Sequence, residues 1–367
     1  MSNNTFDRSA SLEKILTQQA FIKQKPVSAT LELLPLCNMN CDMCFVRLSK
    51  EQMDQQGKLL TYQQWIDLAK QMQQFGLLFL LITGGEPLLY PHFKELYIEL
   101  IKMGFIVSIN TNGTLLSDTW ISVFKKYKPR RINITLYGSN NTTYTTLCHF
   151  PNGYTQTIES IKQLINAKIP VKINGSIVKD NYSEMQELYD ICNSLDVAVH
   201  IDTYMIPSIT HSLIRDQALI RLDPKTMAYA ELTVLKNEMS TETFQHYVSN
   251  TITKIETNTS YPTGINCQAG NTSFAINWKG FMLPCISMKG IQVNLLETSI
   301  EEAWNTISKQ SKTLFMSHSC GNCKYRPICK TCVATAYLET NHYDHAPAYM
   351  CEYAKEFAKL LYEEQNK

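Results

Sequence analysis

The sequence of 367 residues lacks an excess of charge of either sign, with Lys+Arg 34 against Asp+Glu 33. That balance provides no basic surface for nucleic acid or for an anionic membrane, so small molecules or proteins are the expected partners. No apolar run approaches the ~18 residues of a membrane span. The opening MSNNTFDRSASLEKIL has no apolar signal-peptide core, and the expected compartment is the cytoplasm. Low-complexity tracts and repeats with periods of about 20 to 50 residues are also missing, which excludes solenoids and propellers. What is present is 44% hydrophobic residues with only 18% charge, enough to bury one large core, or a core plus a smaller module. Disorder is therefore not expected over most of the length. Twelve cysteines in a reducing compartment point to metal rather than to disulfides.

From residue 29 to about 206, short apolar runs rich in β-branched residues alternate with helical periodicity. Six strands are expected: ATLELL (29–34), LLFLLI (77–82), FIVSIN (105–110), RINITL (131–136), VKINGSIV (171–178) and VAVHID (197–202). Between the first two lies TYQQWIDLAKQMQQFG, where Thr61 suits an N-cap, Trp65, Leu68, Met72 and Phe75 share a face, and Gly76 suits a C-terminal cap. Alternating strands and helices with near-continuous apolar strands argue for a parallel sheet wrapped by helices. Six units fall short of a complete eight-unit barrel. The expected fold is α/β, a partial (β/α)6 barrel with its chemistry at the C-terminal strand ends. An N-terminal extension (1–28), the barrel (29–206), a polar helical bridge (207–260) and a cysteine-rich domain closed by a helix near 350–365 (261–367) complete the expected plan.

Directly after the first strand, LCNMNCDMCF places Cys37, Cys41 and Cys44 as CxxxCxxC. A disulfide would use two thiols, and two bridges or a tetrahedral zinc site would use four. Three thiolates suit a four-iron cubane with one iron left open, although structural cysteines or zinc completed from a distance are alternatives. In this strand-end context the motif resembles that of the radical S-adenosylmethionine (radical SAM) superfamily. The resemblance implies that the open iron chelates the amino and carboxylate groups of S-adenosylmethionine, whose reductive cleavage yields a 5′-deoxyadenosyl radical that takes hydrogen from a substrate. A flavodoxin or ferredoxin would serve as electron donor.

After the second strand, Thr83, Gly84, Gly85, Glu86 and Pro87 resemble the family's GGEP segment, implied to hold the amino group of S-adenosylmethionine. Glycines permit close backbone approach to a ligand, and a carboxylate can accept from an ammonium. An ordinary strand-to-helix turn is the alternative. Phe45 stands where the family has an aromatic beside adenine, or else packs in the core. Asn112, in an Asn-Gly turn after the third strand, and Thr135 on the fourth are implied ribose contacts. The family's Ser-x-Asp-Gly at the fourth strand is replaced here by Thr135 and Tyr137, so a carboxylate is lost and Tyr137 becomes a candidate for substrate contact. Lys172 and Asn174 on the fifth strand are expected to meet the methionyl carboxylate. Cys148, in the loop after the fourth strand, is a second candidate for a catalytic role. Cys192 is expected to be buried as a small hydrophobe.

The C-terminal region contains Cys267, then GxxxxC ending at Cys285, then CGNCKYRPICKTC with Cys320, Cys323, Cys329 and Cys332, and finally Cys351. Two CxxC pairs are a strong metal signature, with structural zinc as the alternative. Seven cysteines behind such a core resemble the SPASM extension, which implies two auxiliary iron–sulfur clusters. One is implied to use Cys320, Cys323, Cys329 and Cys351. The other is implied to use Cys267, Cys285 and Cys332, one thiolate short, its open iron taken by substrate, water, a carboxylate, Cys148 or Cys192. The spacing before Cys332 is one residue shorter than the family's usual order.

The implied activity is modification of a ribosomally made peptide or protein: thioether or carbon–carbon crosslinking, epimerisation or oxidation. Sulfatase maturation is an alternative, weakened because Ile286 follows Cys285 where those members place an Asp base. A tetrapyrrole or other cofactor precursor is another, and a non-enzymatic metal sensor a third. Only about 28 residues precede the first strand, so peptide recognition is expected to use a separate protein or another surface.

Overall fold

A computed structural model describes residues 5–209, 217–257, 259–288 and 290–367, with side chains from residue 13 onward and Gln217 as backbone only. Residues 1–4 of the expected extension, and 210–216 and 258 of the expected bridge, lie outside the described residues. Most of the extension is a helix, Thr5–Lys23.

Six parallel strands follow in the expected order: β1 (Ser28–Glu32), β2 (Phe79–Thr83), β3 (Ile106–Thr111), β4 (Arg131–Leu136), β5 (Val171–Ser176) and β6 (Ala198–Asp202). Each pairs with its neighbour in sequence, and helices fill the connections, as parallel crossovers require. The helix Tyr62–Phe75 shows how local chemistry sets these connections. The Thr61 hydroxyl accepts from Gln64 N–H at 3.3 Å, the Gln64 side chain accepts from Thr61 N–H at 2.8 Å, and Gly76 ends the helix in the left-handed region at φ 93°. Trp65, Leu68 and Met72 bury its inner face.

One feature differs from the expected division into barrel and separate cysteine-rich domain. Among the described residues the sheet has nine strands, ordered β6-β5-β4-β3-β2-β1-β7-β8-β9. Strand β7 (Ser273–Ile276) runs parallel to β1, and β8 (Phe281–Leu283) and β9 (Val293–Asn294) extend the sheet antiparallel. The cysteine-rich region is therefore hydrogen-bonded directly onto the free edge of β1. The short, turn-rich text around GxxxxC hid this, because a four-residue strand has almost no periodicity to read.

A second seam lies at the far edge. Beyond β6, Tyr204 donates to Glu339 at 2.7 Å, Arg221 reaches the same carboxylate at 2.6 Å, and the Arg221 guanidinium stacks 3.5 Å from the Tyr349 ring centroid. Beside it Lys330, next to Cys329, pairs with Glu231 at 2.6 Å, and Thr203 donates to the same Glu231 carboxylate at 2.7 Å. These contacts fasten the cysteine-bearing segment to the helix Pro224–Glu238 and to the exit of β6.

Candidate active site

The cysteine loop leaves the C-terminal end of β1 and is held from two sides. On one side the Gly-Gly turn after β2 is stitched to it: Gly85 N–H donates to Leu34 C=O at 2.8 Å and Glu86 N–H to Leu36 C=O at 2.9 Å. A Cβ on Gly84 would collide with Leu34 C=O, and one on Gly85 with Leu36 C=O. Gly84 also has φ 146°, in the region that favours glycine. Both glycines are thus required by their contact with the cysteine loop. On the other side, Asn40 N–H donates to Cys148 C=O and Asp42 N–H to Leu147 C=O, each at 3.0 Å. The loop therefore rests on the last turn of the helix Asn141–Cys148. Buried Asp42 adds a 2.7 Å contact to His149.

A cavity of about 200 Å³ opens at these strand ends. Its wall contains Cys37, Cys41 and Cys44, with Phe45, Gly84, Gly85, Asn112, Thr135 and Tyr137, and also Asn110, Ser176 and Ile286. Most of the expected site residues are thus gathered here. Glu86, Lys172 and Asn174 are not in the wall. Glu86 is completely buried, accepting from Thr111 Oγ1 at 2.8 Å, Asn112 N–H at 2.8 Å and Leu88 N–H at 3.1 Å. Burial pushes its carboxyl up to about 7 against the pull of those donors. The carboxylate braces the end of β3 against the Gly-Gly turn and keeps Asn112 in place. Lys172 and Asn174 share a face of β5 with Ser176 but lie nearer its N-terminal end, and Lys172 has its basicity lowered by burial and by Arg131. Ser176 was legible: with strand period two and chemistry at C-terminal ends, the last polar residue of that face is the one to choose.

The Glu86 geometry yields a first prediction. Glu86→Ala leaves up to three donors without their acceptor and should destabilise the fold by about 2 to 4 kcal/mol, measured as a shift of the denaturation midpoint. Unchanged stability with weakened S-adenosylmethionine binding would return Glu86 to the role of a direct ligand.

The thiols fit an iron–sulfur cluster by their own chemistry. Burial and mutual repulsion push Cys37 up to about 12 and Cys44 up to about 11, burial leading in both. Cys41 is raised well above its ordinary value by its hydrogen bond with Cys148 and by burial. Three crowded thiols held neutral in this way become thiolates once a soft cation replaces their protons. Sulfur acceptors are also served locally: Met39 N–H lies 3.4 Å and Asn112 Nδ2 3.6 Å from Cys37 Sγ.

The C-terminal cysteines separate into two groups. Cys320 is surrounded by Cys329, Cys351 and Cys323, whereas Cys285 is near Cys332 and Cys267. Cys148 and Cys192 join neither group. Cys148 is fully buried beside Cys41, and Cys192 is buried within the core on the helix Met185–Ser194. The expectation that one of them could complete the three-thiol set is corrected by their positions. Among the described residues no fourth cysteine joins Cys267, Cys285 and Cys332. A protein with Cys37, Cys41 and Cys44 replaced should therefore show an auxiliary electron paramagnetic resonance signal that changes on adding a small thiol. A signal indifferent to thiol would mean that a non-cysteine side chain closes that site.

A parallel strand array presenting three converging thiols and a polar cavity at its C-terminal edge, with seven more cysteines in two groups behind it, defines an iron–sulfur enzyme of the partial-barrel class. Residues 31–192 match the Radical SAM superfamily and residues 267–333 match SPASM, an iron–sulfur cluster-binding domain. The chain carries a Radical SAM domain followed by a C-terminal SPASM domain. The first domain binds S-adenosylmethionine and a 4Fe–4S cluster, and the second binds auxiliary iron–sulfur clusters. It is 23% identical over 334 residues to the AdoMet-dependent heme synthase of Methanosarcina barkeri, covering 85% of this chain and 92% of that protein. It is 27% identical over 167 residues to the sporulation killing factor maturation protein SkfB of Bacillus subtilis, covering 46% of this chain and only 40% of SkfB. The fold is like that of Streptococcus suis SuiB bound to precursor peptide SuiA, with TM-score 0.65 and 17% identity over 96% of this chain and 82% of that one. No helix among the described residues is long and apolar enough to cross a membrane.

Proposed function

We propose that this enzyme abstracts hydrogen from a residue of a ribosomally made peptide or protein, opening the way to a crosslink, epimerisation or oxidation. The observation that carries this reading is a second cavity adjoining the first, sharing Val46 and Ile286 with it. Its wall combines apolar Leu48, Ile209 and Leu283 with the side-chain amides of Gln56, Asn277 and Gln292, and with Glu32 and Lys279. Amides in an apolar slot match the alternating donors and acceptors of a peptide backbone. Lys279 is the sole cation in either wall among the described residues. A heme-type macrocycle, whose carboxylates call for several cationic partners, is poorly matched. Ile286 in the shared wall offers no proton acceptor, which weighs against the sulfatase-maturase alternative.

When bound, the cluster and S-adenosylmethionine supply the hydrogen abstraction. Phe45 would hold the adenine, Asn112 and Thr135 would hold the ribose, and Ser176 contributes a hydroxyl to the same wall. Glu86 positions Asn112. Electrons come from a donor such as a flavodoxin or ferredoxin, and the substrate is presented by a separate protein or by another surface of this one. The test is anaerobic incubation of the reconstituted enzyme with a candidate precursor peptide encoded beside its gene or, in parallel, with an iron porphyrin. A peptide mass change accompanied by 5′-deoxyadenosine supports the proposal. Turnover of the porphyrin alone would replace it with tetrapyrrole chemistry.

A further inference from the structure

We propose that the N-terminal end of the barrel is a second ligand site, for a small oxyanion such as phosphate or a carboxylate, with Arg131 and Ser108 as its principal contacts. A cavity of about 250 Å³ opens there, at the edge of the sheet opposite to the cysteine loop, with Glu13 of the helix Thr5–Lys23 in its wall. Thr30, Leu81, Ser108 and Arg131 are successive partners across β1 to β4 and form one row of that wall. A complete barrel fills such a layer with branched apolar side chains. Here only Leu81 is apolar, and Ser28 and Ser273 add further hydroxyls. Arg131 and Ser108 are direct cross-strand neighbours on one face, close enough to hold a single anion between them. Ser108 is 8% exposed, and among the described residues its hydroxyl has no hydrogen-bond partner. Arg131 makes one side-chain hydrogen bond among those residues, from Nε to Asn133 at 2.8 Å, which leaves the terminal nitrogens of its guanidinium for a ligand.

Arg130 brings a second guanidinium to the wall, forked onto Glu13 and lying 5.4 Å from the Phe79 ring centroid. Two guanidiniums therefore face one carboxylate among the described residues of the wall, and with the hydroxyls they make a donor-rich surface that suits an oxyanion. Burial and the like charge of Arg130 lower the basicity of Arg131, and Glu13 offsets this only in part. The site is separate from the S-adenosylmethionine cavity. Asn133, 7% exposed, donates to Asn110 at 2.7 Å, and this amide pair stands between the two, Asn133 in the wall of the lower cavity and Asn110 in that of the upper.

The experiment is calorimetric titration of the oxidised holoenzyme, saturated with S-adenosylmethionine, with inorganic phosphate and in parallel with acetate, in a chloride buffer. We expect saturable binding of at least one, the tighter of the two identifying the class of oxyanion. Arg131→Ala should weaken that binding about tenfold or more, as the loss of a charge-assisted hydrogen bond does, and Ser108→Ala should weaken it by a smaller factor. Glu13→Gln should tighten it, because the carboxylate that competes for the guanidiniums is gone. Absence of binding of either anion to wild type would overturn the proposal, as would binding that Arg131→Ala and Ser108→Ala leave unchanged. Binding lost once S-adenosylmethionine is present would also overturn it, by assigning the anion to the upper cavity. If Arg131→Ala fails to fold, Ser108→Ala and Glu13→Gln still decide the matter.

Discussion

Replacing Cys37, Cys41 and Cys44 together by Ala should leave the protein short of about four irons per chain and unable to cleave S-adenosylmethionine, while the two C-terminal groups keep theirs. The three thiols line one cavity wall and share it with no other cysteine. The loop that bears them is anchored through backbone hydrogen bonds to Leu34, Leu36, Leu147 and Cys148. Removing the side chains therefore leaves that scaffold intact, and the variant should fold. Replacing Cys320, Cys323, Cys329 and Cys351 should subtract a comparable number of irons without touching the first site. Iron analysis of the two variants beside wild type checks both statements. An undiminished iron count in the first would mean that these thiols hold no metal.

The second large effect is on stability. Arg221→Ala should cost about 3 to 5 kcal/mol, because it strips a buried carboxylate of its cation. The side chains of Arg221 and Glu339 are only 13% and 11% exposed, and Tyr204 alone would remain to serve that carboxylate. The loss of the guanidinium stack on Tyr349 adds to the cost. By contrast, Lys50→Ala, which breaks an exposed pair with Asp54, should cost at most about 0.5 kcal/mol. Denaturant titration of the two variants separates the predictions. Equal, small losses would show that the Arg221 seam does not hold the cysteine-bearing segment onto β6.

The barrel strands were readable because most are short apolar runs bounded by turns, and RINITL was placed at its observed bounds, Arg131–Leu136. The helix Tyr62–Phe75 was readable from Thr61, Gly76 and the spacing of Trp65, Leu68 and Met72. The cluster loop was readable because cysteine spacing survives without any structural context. Contacts made across long sequence separation were not. The pairing of β7 with β1 joins residues roughly 245 apart (Ser28↔Ser273), and no local pattern announces such a partner. Glu86 looked like a ligand contact because a carboxylate after two glycines has one obvious use in sequence. In the folded chain Thr111 and Asn112 claim it first. Cys148 likewise read as a candidate for catalysis or for a fourth cluster ligand until the helix end placed it, fully buried, behind the cysteine loop.

Radical chemistry on S-adenosylmethionine at the Cys37–Cys41–Cys44 loop is read out by chromatography for 5′-deoxyadenosine after anaerobic reduction. The iron-loaded wild-type protein should form 5′-deoxyadenosine from S-adenosylmethionine, and the triple Ala variant should form none. A fully iron-loaded wild type that leaves S-adenosylmethionine intact, or a triple variant that cleaves it equally well, would contradict the account.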